Sequence, residues 1–212
     1  MYGQNAPHPP ERGDSKEELN MQSKRMNTRT LTGVALLTAI VVVLQLLGSF
    51  IRFGTFSISL VLVPIVVGAA LYGAWAGCWL GFVFGIVVVL QPDTGFFMNY
   101  NPLATVIVCL LKGAVAGLLS GLVYRALEKK NRYLAVLAAA IVCPVVNSGI
   151  FFLGSLLFFI PLIEEAFNDP GHGVRIVLLT MIGGNFLFEI LFNIVLSPVV
   201  IRLIDLGRKN RH

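Results

Sequence analysis

Lys112 stands in the stretch NPLATVIVCLLKGAVAG, residues 101–117, flanked on both sides by apolar or small residues. Ionisable groups inside such a run are costly in a bilayer and mark a cavity, a partner or a ligand. Asn101, Thr105 and Cys109 precede the lysine at helical spacing, so one stripe of that segment is polar. A second stripe, Asn185, Glu189 and Asn193, recurs every four residues nearer the C terminus, and Gln45 and Asn147 add amides in other apolar segments. Arg52, Asn99 and Tyr100 fall in short stretches between apolar runs. This set suits binding rather than turnover. A cation with several amides fits a ligand that carries a carboxylate and hydrogen-bonding groups, and Phe96, Phe97 and Tyr100 suit stacking on a flat ring. A structural alternative stays open, in which Lys112 and Glu189 form a buried ion pair and the amides make interhelical hydrogen bonds of about 0.6–2 kcal/mol each.

Other chemistries lack their residues. His8, His172 and His212 are scattered, and Cys78, Cys109 and Cys143 have no paired spacing, so no metal site, cofactor or catalytic constellation is expected. No glycine-rich phosphate loop of the GxxxxGK type is present, so nucleotide is not held here.

The elements that must position these groups follow from composition. With 56% hydrophobic and 13% charged residues and a mean hydropathy of +0.81, the chain is an integral membrane protein. The net charge of +5 needs no nucleic-acid partner, because basic residues beside membrane spans serve topology. Residues 1–28 are polar and proline-bearing and read as a disordered cytoplasmic tail, with Met21 and Met26 as alternative starts. Residues 29–212 then form one all-α membrane domain. A hydrocarbon core of about 30 Å takes roughly 20 helical residues. Six spans are expected near 30–50, 57–72, 74–91, 102–126, 133–160 and 174–203, with Pro64 interrupting the second. Basic clusters at 24–29, 125–132 and 202–211 all fall on one side of that arrangement, which places both termini in the cytoplasm. The loops 51–56, 91–101 and 161–173 then lie outside. Lys112 sits about 15 Å below the outer end of the fourth span, near mid-membrane.

Gly73, Gly77, Gly81 and Gly85 repeat every four residues on the third span, as do Gly113, Gly117 and Gly121 on the fourth. Such ladders let helix backbones approach in lipid, so tight helix contact is expected of both.

Four features in order along residues 29–205 give the chain a resemblance. They are Ala35 and Ala39 within GVALLTAIVVVLQ, the segment SISLVLVPIVVGA, the glycine-spaced third span, and the NPL…KG opening of the fourth. Together they resemble the substrate-binding S component of an energy-coupling factor (ECF) vitamin transporter. The resemblance implies a six-helix fold in a prokaryotic plasma membrane that binds a small water-soluble vitamin, of the pantothenate, folate or riboflavin class, beneath its outer loops. It implies association with a membrane coupling subunit (the T component) through Ala35 and Ala39, and with two cytoplasmic ATPases, so that the chain is not itself an enzyme. The polar groups read above place the substrate site at Gln45, Arg52, Asn99, Tyr100, Asn101, Lys112, Asn147, Asn185 and Glu189. A second class remains, a self-sufficient secondary transporter using Lys112 and Glu189 as a proton relay.

Overall fold

The structure is a computed structural model that describes residues 28–48, 52–53, 56–57, 61–177, 179 and 184–209. The expected tail, 1–28, lies outside these residues but for Thr28. By internal contacts the chain divides into residues 1–33 and 34–212. The described part of the first is the opening of helix α1 (Thr28–Gly48). All contacts below lie within the second.

Among the described residues the elements are α1, a two-residue strand pair β1 (Arg52–Phe53) and β2 (Phe56–Ser57), α2 (Leu62–Tyr72), α3 (Ala74–Val89), a 3-10 turn at Pro92–Thr94, α4 (Gly95–Tyr100), α5 (Pro102–Glu128), α6 (Arg132–Phe158), α7 (Ile160–Phe167), α8 (Gly173–Ile176) and α9 (Gly184–Lys209). The strands pair antiparallel, Arg52 opposite Ser57. α1, α5, α6 and α9 are long and apolar enough to cross a membrane, and α3 with the 92–100 segment passes the same test as a pair bent by 71°. Helices dominate because a bilayer offers backbone groups no partner outside their own segment.

Two expected spans differ in extent. Among the described residues the second, 57–72, is helical over Leu62–Tyr72, 11 residues and about 16 Å, with Ser57 in β2. Pro64 explains the start. It lies in the first turn, where a missing N–H costs no helical bond, so it opens the helix rather than interrupting it. The sixth, 174–203, takes in most of α8 and, beyond residues 178 and 180–183, which lie outside the described residues, α9, which runs on to Lys209.

Local signals set the boundaries. Gly73, at φ 100°, ends α2 by donating its N–H to the Ala69 carbonyl (3.0 Å), and its own carbonyl accepts from Ala76 and Gly77 to begin α3. Thr94 returns its hydroxyl to the Val88 carbonyl (2.6 Å) and closes the far end of α3. Asn101 and Asn131 cap α5 and α6 with their side-chain oxygens, Pro102 standing at the first helical position of α5.

α3 and α5 run antiparallel, and their glycine ladders interlock. A Cβ added at Gly77 would lie 2.5 Å from the Gly117 carbonyl oxygen, and one at Gly85 would lie 2.5 Å from the Cys109 carbonyl oxygen, while Gly81 and Gly113 meet backbone to backbone. The expectation of tight contact thus holds with a defined register. α5 packs in turn on α6. The main core joins Leu62, Ile65, Leu80, Phe84, Val136 and Ile204 from α2, α3, α6 and α9. A second apolar cluster, Ala104, Phe159, Ile163, Ile176 and Val177 with Phe97 packed against it, forms a cap where α4 to α8 meet.

At the opposite end, Arg132 pairs with Asp205, and Arg208 donates to Glu128 (2.7 Å) and to the Tyr124 hydroxyl (3.1 Å). These contacts gather the C-terminal ends of α5 and α9 with the start of α6, so two of the expected basic clusters share one end of the bundle. Large apolar side chains such as Leu36, Trp75, Leu103, Leu157 and Leu187 remain exposed around the helices. That surface suits lipid, and the chain is a multi-pass membrane protein.

Candidate functional site

Lys112 is half-buried on α5, about 15 Å from the cap end of that helix. Helical side chains lean toward the N terminus, which here is the cap end, so the four-carbon stem carries the ammonium toward the loops. It comes to rest over the ring of Phe151 on α6, 5.1 Å from the centroid. A π face attracts a cation by about 0.5 kcal/mol when exposed and about 2 kcal/mol or more when desolvated. Phe151 in turn meets Phe97 edge-on at 5.8 Å, and Phe97 packs on Phe159 at 4.9 Å. The charge is therefore held against the underside of the cap.

One face of α6 carries Cys143, Asn147, Phe151 and Ser155 at four-residue intervals. Asn147 is 7% exposed and Ser155 is fully buried, yet among the described residues Asn147 Oδ1 and Ser155 Oγ have no hydrogen-bond partner. Buried acceptors of this kind are costly unless something else meets them. They lie one turn to either side of the ring that holds the ammonium. That combination of an ammonium, a π face and a bare amide oxygen can receive an anionic, hydrogen-bonding molecule.

Glu189 is buried on α9 in one stripe with Asn193 and Ser197, within electrostatic reach of the Cys143 thiol, which packs against the Ser120 hydroxyl. Counted along the helices from the Arg132–Asp205 and Arg208–Glu128 pairs, Glu189 and Lys112 each stand about 24 Å up their own helix from that end.

Several other expected site residues have local partners. Gln45 and Gln91 bind reciprocally: Gln45 Nε2 donates to Gln91 Oε1 and Gln91 Nε2 to the Gln45 carbonyl, both at 3.0 Å, fastening α1 to the end of α3. Asn101 accepts from the Ala104 N–H, and Thr105 donates its hydroxyl to the Asn101 carbonyl. The upper part of the α5 polar stripe therefore caps the helix and packs against α3 beside Gly85. Asn99 and Tyr100 are exposed on α4. The side chains of Arg52 and Asn185 lie outside the described residues. Ala35 and Ala39 are exposed on α1, and Val41 is the fully buried side chain of that helix among the described residues. No cluster of three metal-ligating side chains occurs among the described residues. Sequence reading missed Phe151, Ser155 and Gln91; the four-residue spacing of Asn147, Phe151 and Ser155 was the available signal.

Comparison with known proteins supplies the family. Residues 29–201 match the ECF transporter substrate-specific component family. The chain belongs to that family. As a substrate-specific component it is a binding subunit for transport, and vitamin uptake is the function of such components. Its fold is similar to that of ThiT from Listeria monocytogenes, with a TM-score of 0.60 over 85% of this chain and 99% of that one at 20% identity. No curated protein matches the chain.

Proposed function

We propose that this substrate-specific component captures a small water-soluble vitamin, of the pantothenate, folate or riboflavin class, in a site under its outer loops in a prokaryotic plasma membrane. The observation that carries this reading is the half-buried Lys112 ammonium resting on Phe151, one turn from an Asn147 oxygen that has no partner among the described residues. An ammonium at this depth needs a compensating group, and a ligand carboxylate with a hydrogen-bond donor would meet both residues. Gln45, Arg52, Asn99, Tyr100, Asn101, Asn185 and Glu189 complete the proposed set. Those on α4 and the first loop contribute to the mouth, and Glu189 lines the deeper part.

In the same reading there are six crossings, with α2 and the bent α3–α4 segment counted as two of them. The basic end faces the cytoplasm, the cap faces outward, and both termini are inside. Ala35 and Ala39 present the small-residue face of α1 to a membrane coupling subunit, and two cytoplasmic ATPases supply the energy. Small exposed residues at four-residue spacing support this, since they let a second helix approach closely. Identifying the vitamin that co-purifies with the detergent-solubilised chain tests the cargo class. Lys112→Met keeps most of the stem and removes the charge, so it tests the site. The expected result is a large loss of affinity with normal insertion and folding, and unchanged affinity would mean the lysine is structural.

A further inference from the structure

Aromatic rings connect the Lys112 ammonium to the cap. Phe151 takes the ammonium on its face, 5.1 Å from the centroid, and meets Phe97 at 5.8 Å and 90°. Phe97 also touches Phe96 at 5.1 Å and Phe159 at 4.9 Å, and it packs against the cap cluster that contains Ile163 and Ile176. The group in greatest need of an anion is thus held by a ring that belongs to the roof of the site.

We propose that Phe151 is a positioning residue that holds the Lys112 ammonium while the site is empty, and that cargo loads by drawing the ammonium off the ring with an anionic group. This rests on the reading that Lys112 meets the ligand, and it narrows that ligand to a carboxylate-bearing molecule. A carboxylate accepts the same hydrogen bond from the ammonium as a neutral carbonyl would and adds the attraction of a full opposite charge, so it can displace a π face that a carbonyl displaces poorly. A cationic cargo would meet like charge. Asn147 Oδ1, without a partner among the described residues, sets a second requirement. It stands one turn from Phe151 on the same helix face, so the cargo also carries an N–H or O–H donor about 6 Å from its anionic group.

The ring stabilises only the empty state, which fixes the sign of its effect. Removing it should tighten cargo binding by about 2- to 30-fold, the range that a cation–π contact spans. A ring that stacks on cargo, or one that merely fills the core, would give the opposite sign.

The test titrates the detergent-solubilised full chain with pantothenate, folate and riboflavin. Wild type, Phe151→Leu, Lys112→Met and the double variant are compared, with Phe151→Met as a bulkier replacement that lacks the π face. Pantothenate or folate is expected to bind in preference to riboflavin, Phe151→Leu and Phe151→Met to bind it more tightly, and Phe151→Leu to change nothing in the Lys112→Met background. Preference for riboflavin overturns the anionic cargo. Weaker binding by Phe151→Leu in both backgrounds overturns the positioning role, because the ring then touches cargo itself. A second readout needs no ligand. In protein labelled with 13Cε-lysine, the Lys112 resonance, assigned by its loss in Lys112→Met, should be shifted upfield by the ring current and should return downfield in Phe151→Leu. A Lys112 signal indifferent to that substitution overturns the proposal whatever binds. Wild-type affinity in Lys112→Met overturns instead the reading that the lysine meets the ligand.

Discussion

Alanine at Gly77 and alanine at Gly149 should move stability in opposite directions, although both glycines are helical. An added Cβ at Gly77 would stand 2.5 Å from the Gly117 carbonyl oxygen and 2.7 Å from Ala69 Cβ. Carbon and oxygen in contact sit about 3.3 Å apart, so α3 and α5 must part by about 0.8 Å at that point. A gap of that size forfeits a quarter to a half of the dispersion energy of the atoms lining it, and overpacking of this kind costs about 1–3 kcal/mol. Alanine also removes the entropic penalty of a helical glycine, a gain of about 0.5–1 kcal/mol. At Gly149 nothing lies within 4 Å of the added carbon, so only the gain remains. The two variants should therefore differ by about 1–3 kcal/mol, or about 2–12 °C in Tm for a chain of this size, with Gly77→Ala the less stable. Thermal unfolding of the full chain in detergent, followed with a thiol-reactive fluorophore, reads this directly because Cys109 and Cys143 are free and buried. Equal midpoints, or a more stable Gly77→Ala, would refute the interlocked register.

Tyr124→Phe removes the hydroxyl that accepts from Arg208 at a residue 1% exposed, and should cost about 1 kcal/mol in the same assay. No change would mean that the basic end is held by its ion pairs alone. Cysteines placed at Asp93 and Asp169 should react with an impermeant reagent added outside cells, whereas one placed at Lys129 should not; the reverse pattern overturns the proposed orientation. Leucine at both Ala35 and Ala39 should lower ATP-dependent uptake while vitamin binding by the solitary chain survives, since both positions are exposed on α1. Loss of binding with assembly intact would place those alanines inside the protein.

The membrane class, the long helices at 28–48, 102–128 and 132–158, and the two ladders of small residues were legible in the chain because each depends on neighbours within one or two turns. A run of apolar residues must be helical in lipid, an asparagine before a proline or a polar start caps the helix it precedes, and a glycine every fourth residue makes one smooth face. Pro64 obeys an equally local rule, yet whether it breaks a helix or opens one depends on where the preceding chain turns, and that is decided beyond the helix itself. The pairing of Gly77 with Gly117, the seat of the Lys112 ammonium on Phe151 and the burial of Glu189 depend on how α3, α5, α6 and α9 are rotated about their axes. Sequence spacing places Lys112 and Glu189 within about one turn in depth but says nothing of azimuth, and a polar group can meet only what the packing of three helices turns toward it.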